Sequence, residues 1–340
     1  FNHTQGVMND ISVQSDYWRS RSNYAKNNNV YTVICDQSTA DGEQCIDDSQ
    51  WRVWISGQNG KHTINNDTRS GTADYSADSY RTVAGLDYAI NKNTLLGFAF
   101  GSSKTQFDVA ERDTSGLVES NSLAFYGSKD FDKMYLKGAL SYDWLDAETR
   151  RFAFVEGSTA PIIPVAGVAN NLQAQFDGKT FNGRLEAGYK TNWKKLNITP
   201  FAGVQLSFAK IGAATETAAE SDDALALAYS KNDAYSAPVF VGAQIDSMFM
   251  LSEGSIQPYA KLSFAHDFST KRAMEASFVS APGYKFEVQG AVPDANTMDV
   301  NLGFKMTSIT NLAFYGQFNG QYSENGAKNE GGTLGLEVHW

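Results

Sequence analysis

The 340-residue sequence lacks any apolar run long enough to form a membrane-spanning helix. Such a helix needs about 20 consecutive apolar residues. The longest apolar stretch here, residues 161–169, is interrupted by two prolines and a glycine. The sequence also begins at Phe1 with neither an initiator methionine nor a signal peptide, so we expect it to be part of a longer protein.

Cysteine is scarce, with only two residues, Cys35 and Cys45. A metal site would need further cysteine or histidine residues nearby, and this segment has none. We therefore predict a small disulfide loop, formed in an oxidising compartment, and expect neither a metal nor a cofactor.

Basic residues and histidines are also few. The net charge of −10 argues against a nucleic-acid partner. Histidines 3, 62, 266 and 339 are scattered, and no Ser–His–Asp arrangement emerges. His266 and Asp267 are adjacent on a predicted strand, where neighbouring side chains point to opposite faces. We do not expect an enzyme, although a hydrolase that uses His62 or His266 stays an alternative.

The sequence is rich in aromatic residues and glycine, with 16 Tyr, 21 Phe, 6 Trp and 29 Gly. In residues 331–340, alternate positions are apolar and the intervening ones are small or polar. Residues 297–307 and 311–322 alternate in the same way. Such runs are about twice the usual strand length and are long enough to cross a bilayer when tilted. The polar face carries charges, which suits a wet lumen with lipid outside.

The alternation predicts twelve strands, which makes the fold all-β: a 12-stranded antiparallel transmembrane barrel. They are placed at 51–57, 80–90, 94–105, 118–129, 134–147, 177–192, 196–210, 233–248, 254–268, 296–308, 311–323 and 331–340. Short turns alternate with longer connections at 58–79, 106–117, 148–176, 211–232, 269–295 and 324–330. Short periplasmic turns and long external loops are typical of outer-membrane barrels. Aromatic residues fall at the predicted membrane edges, at Trp51, Phe131, Trp193, Phe249 and Trp340 on the periplasmic side and Tyr142, Trp144, Phe268 and Tyr322 on the other.

Residues 4–26 do not alternate and predict a helix, about 35 Å long at 1.5 Å per residue. Its apolar stripe is thin, so we expect a polar housing such as the barrel lumen, with a frayed linker as the alternative. Residues 1–26 thus form a pore-spanning helix, 27–50 a polar linker with the cysteine pair, and 51–340 the barrel.

Charged residues of the helix, and those at the alternate strand positions that form the polar face, are candidates to hold this helix in place. On the helix they are Asp16, Arg19 and Arg21, and on the strands Arg81, Asp87, Lys137, Asp143, Arg184, Glu186, Asp246, Lys261, Asp299 and Lys305. The alternative is a generic hydrated interior whose charges are interchangeable. Charges in a narrow lumen are only partly screened, so several together could hold the helix.

Backbone groups in hydrocarbon need partners, so twelve tilted strands must close into a barrel. The lumen is wider than that of an eight-stranded barrel, which side chains alone fill. One helix, about 10 Å across, would roughly plug it. The linker leads to a strand that starts at the periplasmic side, so the N-terminus of a helix in the lumen points outward.

The helix at 4–26, the strands from Trp51 onward and the terminal LGLEVHW together resemble the translocator domain of an autotransporter (type V secretion). The resemblance implies an outer-membrane protein that exports and anchors an N-terminal passenger at the cell surface, with the helix left as a plug. It also implies a monomer, assisted by periplasmic chaperones, whose residues Leu334, Leu336, Val338 and Trp340 resemble the signal read by the barrel-assembly machinery. Some members cleave themselves at an Asn-Asn pair in the helix; here Asn27–Asn29 lie at or beyond its end, and we expect no cleavage.

A twelve-stranded diffusion channel is the main alternative function. A channel of that kind has no use for a lumen-length helix at its N-terminus, so residues 1–26 separate the two hypotheses.

Overall fold

A single helix stands inside a closed antiparallel barrel of twelve strands. The computed structural model describes residues 2–28, 50–65, 73–157, 167–218, 224–252, 254–269, 273–289, 294–308 and 311–340, and the helix side chains from 6 to 19. The predicted disulfide between Cys35 and Cys45 lies outside the described residues. Helix α1 spans Asn2–Asn28, slightly longer than the predicted 4–26.

Every barrel strand pairs with its neighbour in sequence, and the first pairs with the last. The strands are β1 (Trp51–Ile64), β2 (Tyr75–Asn91), β3 (Thr94–Val109), β4 (Thr114–Phe131), β5 (Met134–Val155), β6 (Val168–Tyr189), β7 (Leu196–Ile211), β8 (Asn232–Ser236 and Pro238–Asp246), β9 (Gly254–Asp267), β10 (Asn296–Ser308), β11 (Leu312–Ser323) and β12 (Lys328–His339). The short strands Thr191–Trp193 and Phe249–Leu251 pair with the starts of β7 and β9. The predicted fold is confirmed.

Closure joins β1 to β12 along their length, with Val53 opposite Val338 in the register. At the short-turn end, Trp51 and Trp340 exchange two backbone hydrogen bonds of 3.1 Å each. The sheet therefore has no open edge within the barrel, which is what hydrocarbon requires of a backbone that crosses it.

The apolar face looks outward, as the alternation predicted. On β1, Val53 and Ile55 are 41% and 48% exposed, whereas Arg52 and Ser56, which flank them, are buried. β12 follows the same rule, with Leu336 exposed and Glu337 fully buried. The exposed rings of Trp51, Phe131, Trp193, Phe249 and Trp340 lie at the short-turn end of the barrel. The apolar belt and its aromatic edge thus face the acyl chains.

Several connections predicted as loops are partly strand. β5 and β6 have 22 residues each and take in most of the predicted loop 148–176. Residues 58–64 likewise extend β1. Above the belt both faces meet water, so outward positions carry charged residues such as Asp146 and Glu148 in place of apolar ones, although the backbone ladder continues.

The predicted loops 211–232 and 269–295 contain a second sheet of four strands, here called the loop sheet. Its strands are Ala214–Thr215, Leu227–Tyr229, Ala273–Phe278 and Ala281–Gln289. Arg151, near the end of β5, contacts it through Glu216, with two hydrogen bonds of 2.6 and 3.0 Å. This ion pair fastens the loop sheet to the barrel wall.

Inward-facing glycines make room for aromatic rings inside the barrel. The ring of Tyr126 lies over Gly97, and the ring of Tyr315 lies over Gly335. A side chain at either glycine would overlap the ring, so glycine is required there for close packing. Among the described residues, no helix is both long enough and apolar enough to cross a membrane.

Candidate functional site in the barrel lumen

The direction of the helix is fixed by contacts at its two described ends. The guanidinium of Arg19 lies 3.4 Å from the centroid of the Tyr135 ring, just after the short turn between β4 and β5. Gly6 contacts the Arg81 guanidinium further up β2. The N-terminal end of α1 therefore points toward the long loops.

One face of the helix packs against strands β2 to β4. Val7 and Ile11 are almost fully buried and form a cluster with Val83, Ala99 and Ala124. The small alanine side chains on β3 and β4 let the helix approach the wall closely. This patch is one of two apolar clusters inside the barrel, and it matches the thin apolar stripe of the helix.

Asp16 is the charged centre of the helix–wall contact. Lys137 on β5 donates to Oδ1 at 2.7 Å, and Lys261 on β9 donates to Oδ2 at 3.1 Å. Arg19, one turn along, also donates to Asp16. All four side chains are buried. A buried carboxylate needs such partners, because an unpaired charge there would be very costly.

Glu186 on β6 completes this cluster from the barrel side. Lys137 and Lys261 lie 2.9 and 3.4 Å from its carboxylate, and the hydroxyl of Tyr135 donates to it at 2.7 Å. Arg184 approaches at 3.4 Å. The same two lysines are thus shared between a wall carboxylate and the helix carboxylate, so the helix completes a network that spans the lumen.

A second cluster of buried charged residues lies on β1, β10 and β12, where these strands face the helix. Glu337 accepts from Lys305 at 2.7 Å and from Arg52 at 3.4 Å. Arg52 reaches the backbone carbonyl of Gln14 with two contacts of 3.4 Å. The hydroxyl of Tyr17 donates to the Phe304 carbonyl at 3.1 Å. The helix is therefore held through both its side chains and its backbone.

Other candidate residues from the sequence have partners within the barrel wall. Asp143 accepts from Asn182 at 2.7 Å, and Arg81 donates to Gln58 at 2.6 Å. Further wall contacts link Asp87 to Arg52, Asp246 to Asn197 and Asp299 to Gln321. The side chain of Arg21 lies outside the described residues.

Sequence reasoning missed several residues of the site. Arg52 and Glu337 lie on the inward-facing positions of β1 and β12, so the alternation marked them as inward charges but not as contacts of the helix. Tyr135 had no such signal because a tyrosine fits either face of the wall, and Tyr17 lies on the helix, where the strand alternation does not apply. Tyr17 packs between Tyr259 and Tyr315, with ring centroids 5.6 and 5.7 Å away.

The helix does not fill the whole lumen. A cavity of about 770 Å³ lies along its other face, lined by Asn9 and Val13 of the helix and by Gln205 and Asp299 of the wall. The cavity reaches Asp294 and Lys328, next to the long loops. The described lumen therefore holds the helix, two buried charge clusters and a cavity that reaches the long loops.

Comparison with known proteins identifies a family. Residues 53–319 match the model of the autotransporter β-domain. The extracellular serine protease of Serratia marcescens is 20% identical over 78% of this chain and 24% of its own length. Outer membrane protein B of Rickettsia japonica is 25% identical over 49% of this chain and 10% of its own length. The chain thus spans between about a tenth and a quarter of the length of these curated relatives.

Solved structures share the fold. The translocator domain of NalP from Neisseria meningitidis has a TM-score of 0.64 at 14% identity, covering 97% of this chain and 99% of that one. The β-domain of the Bordetella autotransporter BrkA has a TM-score of 0.56 at 13% identity, covering 85% and 99%. The chain belongs to the autotransporter β-domain family and is an integral outer-membrane translocator domain.

Proposed function

We propose that this barrel exports an N-terminal passenger, anchors it at the cell surface, and is then plugged by its own helix. The single observation that carries the proposal is the position of Asp16, held between Lys137 on β5 and Lys261 on β9. A helix bound in this way, with its N-terminal end toward the long loops, leads an upstream segment out of the pore.

Passenger export is supported by the family and by the direction of the helix. A reporter domain fused before Phe1 should be digested by protease added to intact cells. A fusion lacking residues 328–339, which form β12, is the control, because its barrel cannot close. Reporter that stays protected while the intact barrel is folded in the membrane would contradict export.

Plugging is supported by the buried contacts on both sides of the helix. Deleting residues 2–28 should raise the single-channel conductance in a planar bilayer several-fold, because it adds the volume that α1 occupies to the cavity beside the helix. Equal conductance with and without the helix would contradict the plug. It would favour the alternative of a diffusion channel.

The terminal strand is the proposed signal for the barrel-assembly machinery, through Leu334, Leu336, Val338 and Trp340. Replacing Trp340 by Ala removes an exposed ring but keeps the backbone bonds to Trp51. We expect less folded protein in the membrane of growing cells, while protein refolded in detergent keeps its thermal stability. If the amount of folded protein in the membrane and the thermal stability in detergent both fall, Trp340 contributes to stability and not to the assembly signal.

We further propose that one chain forms one pore, that chaperones assist it in the periplasm, and that it has no catalytic activity of its own. The words protease and esterase in the names of relatives describe those longer proteins. Light scattering of the detergent-purified protein tests the first point: one chain per particle is expected, and a stable dimer or trimer would contradict it.

A further inference from the structure

Aromatic side chains point into the lumen near the short-turn end of the barrel. On β4, β5 and β7 the inward positions nearer the long loops include the smaller residues Ser122, Ser141 and Ser207, which are buried. The lumen is therefore lined by bulky rings at one end and by smaller polar groups beyond them. We call the rings the aromatic collar; its members are Trp54, Tyr126, Tyr135, Phe201, Tyr259 and Tyr315.

Tyr17 of the helix lies between two members of the collar. Its ring centroid is 5.6 Å from that of Tyr259, with the planes at 88°, and 5.7 Å from that of Tyr315. Its hydroxyl donates to the Phe304 carbonyl at 3.1 Å, and Nζ of Lys305 lies 5.3 Å from the centre of its ring. The neighbouring strands β9, β10 and β11 thus all contact this one side chain, which is 3% exposed.

The wall fixes the two collar rings on either side of Tyr17. Tyr259 donates its hydroxyl to Gln317 at 2.6 Å. The Tyr315 ring lies over Gly335, where a side chain would overlap it. Packed protein interiors are as dense as organic crystals, so a ring held between two fixed rings tolerates little displacement. The slot between Tyr259 and Tyr315 therefore selects one position of the helix along the barrel axis.

The ion pairs of Asp16 are less selective for that position. Lys137 donates to Asp16 at 2.7 Å and also to the hydroxyl of Ser12, one turn earlier, at 2.8 Å. Lysine carries its charge on a flexible four-carbon stem, so its ammonium group can follow a carboxylate that moves along the axis. Glu186 contacts both Lys137 and Lys261 and does not move with the helix. This network tolerates a shift of the helix better than a packed ring does.

We propose that Tyr17 is the positioning residue that sets the height of the helix in the lumen, and so the point at which the chain comes to rest in the pore. The inference rests on the proposed plug and adds the side chain that defines the plugged position. Val13, one turn before Tyr17 on the same face, lines the cavity and carries no ring. Moving the ring from position 17 to position 13 should draw the helix about 6 Å toward the short turns, which is four residues at 1.5 Å each.

Disulfide trapping in the purified full chain measures the height of the helix. A Cβ at Gly101 on β3 would lie 3.1 Å from a methyl carbon of Val7, so Val7→Cys with Gly101→Cys reports the native height. In a helix one turn lower, residue 3 takes the place of residue 7. His3→Cys with Gly101→Cys therefore reports the lowered helix. Cys35 and Cys45 are replaced by serine in every sample.

Two exchange variants separate the ring from the carboxylate. The ring exchange combines Val13→Tyr with Tyr17→Val. We expect it to lower the yield of the native cross-link roughly tenfold and to produce the lower one, because each aromatic pair contributes to the height that the helix adopts.

The carboxylate exchange combines Ser12→Asp with Asp16→Ser. It should keep the native cross-link, because the ring stays at position 17. Trp18→Leu is the matched control: it removes the neighbouring, half-buried ring and should also keep the native cross-link.

A ring exchange that keeps the native cross-link, or loses it without gaining the lower one, would overturn the proposal. So would a lowered helix in the carboxylate exchange, which would assign the height to Asp16, and so would an equal effect of Trp18→Leu. Tyr259→Ala opens the slot without changing the helix and should lower the native yield roughly tenfold. An unchanged yield there would count equally against Tyr17.

The readout is independent of passenger export. The shift in mobility of heated samples on gels shows that each variant has a folded barrel. Protease digestion of a reporter fused before Phe1 is measured in parallel on intact cells. A protected reporter would contradict export, whereas the cross-links alone decide whether Tyr17 sets the height of the helix.

Discussion

Lys137 and Lys261 belong to strands β5 and β9, yet their ammonium groups reach the two oxygens of one carboxylate, Asp16, at 2.7 and 3.1 Å. A single helix side chain therefore connects two parts of the wall that lie far apart in the sheet. Removing its charge should affect the position of the helix before it affects the barrel, because Glu186 still satisfies both lysines in part.

Asp16→Asn should release the helix from the lumen. Breaking a buried ion pair on one side costs about 3 kcal/mol, which corresponds to about a hundredfold rise in the population with the helix out. Planar-bilayer recordings should show longer high-conductance openings. Asp108→Asn, an exposed outward position on β3, is the control and should leave the recordings unchanged. Identical traces for both variants would mean that Asp16 does not hold the helix.

Tyr135 supports Arg19 with its ring and Glu186 with its hydroxyl. Tyr135→Phe keeps the ring, and Tyr135→Ala removes it. Because a cation over an aromatic face is stabilised by about 0.5–2 kcal/mol, we expect Ala to increase helix release about tenfold and Phe to increase it much less. The temperature at which the barrel unfolds on heated gels reports any separate effect on the wall. Equal release by the two variants would assign the effect to the hydroxyl.

Gly335 and Gly57 give a matched pair for testing the close packing of rings inside the barrel. A methyl group on Gly335 would overlap the Tyr315 ring, whereas one on Gly57 would meet nothing within 4 Å. Gly335→Ala should lower the free energy of unfolding by about 1–3 kcal/mol, and Gly57→Ala should leave it nearly unchanged. Urea titrations in detergent provide the measurement. A similar loss for both would indicate a backbone effect of glycine and not the ring.

The loop sheet should loosen in alkaline solution. Burial, and then the neighbouring Glu216 carboxylate, raise the pKa of Tyr229 above its ordinary value of 10.0. Because the folded state favours the neutral phenol, this contribution is fully present below pH 10 and is lost as the pH rises above it. Digestion with an alkaline-active protease should cut residues 224–230 faster at pH 11 than at pH 9.

Tyr229→Phe should reduce that pH dependence, because the ionising hydroxyl is gone. Tyr284→Phe is the control, since Tyr284 lies in the same sheet but is 80% exposed. If both variants lose the pH dependence equally, a general effect of alkaline solution on the loops is responsible and the Tyr229 contact is not.

The membrane-spanning part of the fold could be predicted because two solvents act on every strand. The lipid-facing side favours apolar residues such as Val53 and Ile55, and the water-filled lumen favours polar ones such as Arg52 and Ser56. Hydrophobicity therefore alternates from residue to residue along the sequence. Above the belt that selection ends, and the extensions of β5 and β6 carried no comparable pattern. The loop sheet was missed for the same reason.

Partnerships inside the lumen could be predicted only in part. Parity identified Lys137, Lys261 and Glu186 as inward charges, but Asp16 and Lys261 are 245 residues apart and no local signal joins them. Their contact depends on the strand order, the closure of the barrel and the rotation of the helix together. Arg52 and Glu337 showed the right parity yet could not be ranked, because charge on the inner face is common to most strands.

The bond between β1 and β12 has a consequence for how the protein is made. β1 and β12 are the first and last strands of the barrel along the chain, so each has an unpaired edge until β12 has been synthesised. Each unpaired edge exposes a row of backbone N–H and C=O groups that can pair with strands of other chains. Rapid closure of the barrel, and protection of the chain until it closes, therefore matter more for this fold than for one whose strands pair only with their sequence neighbours.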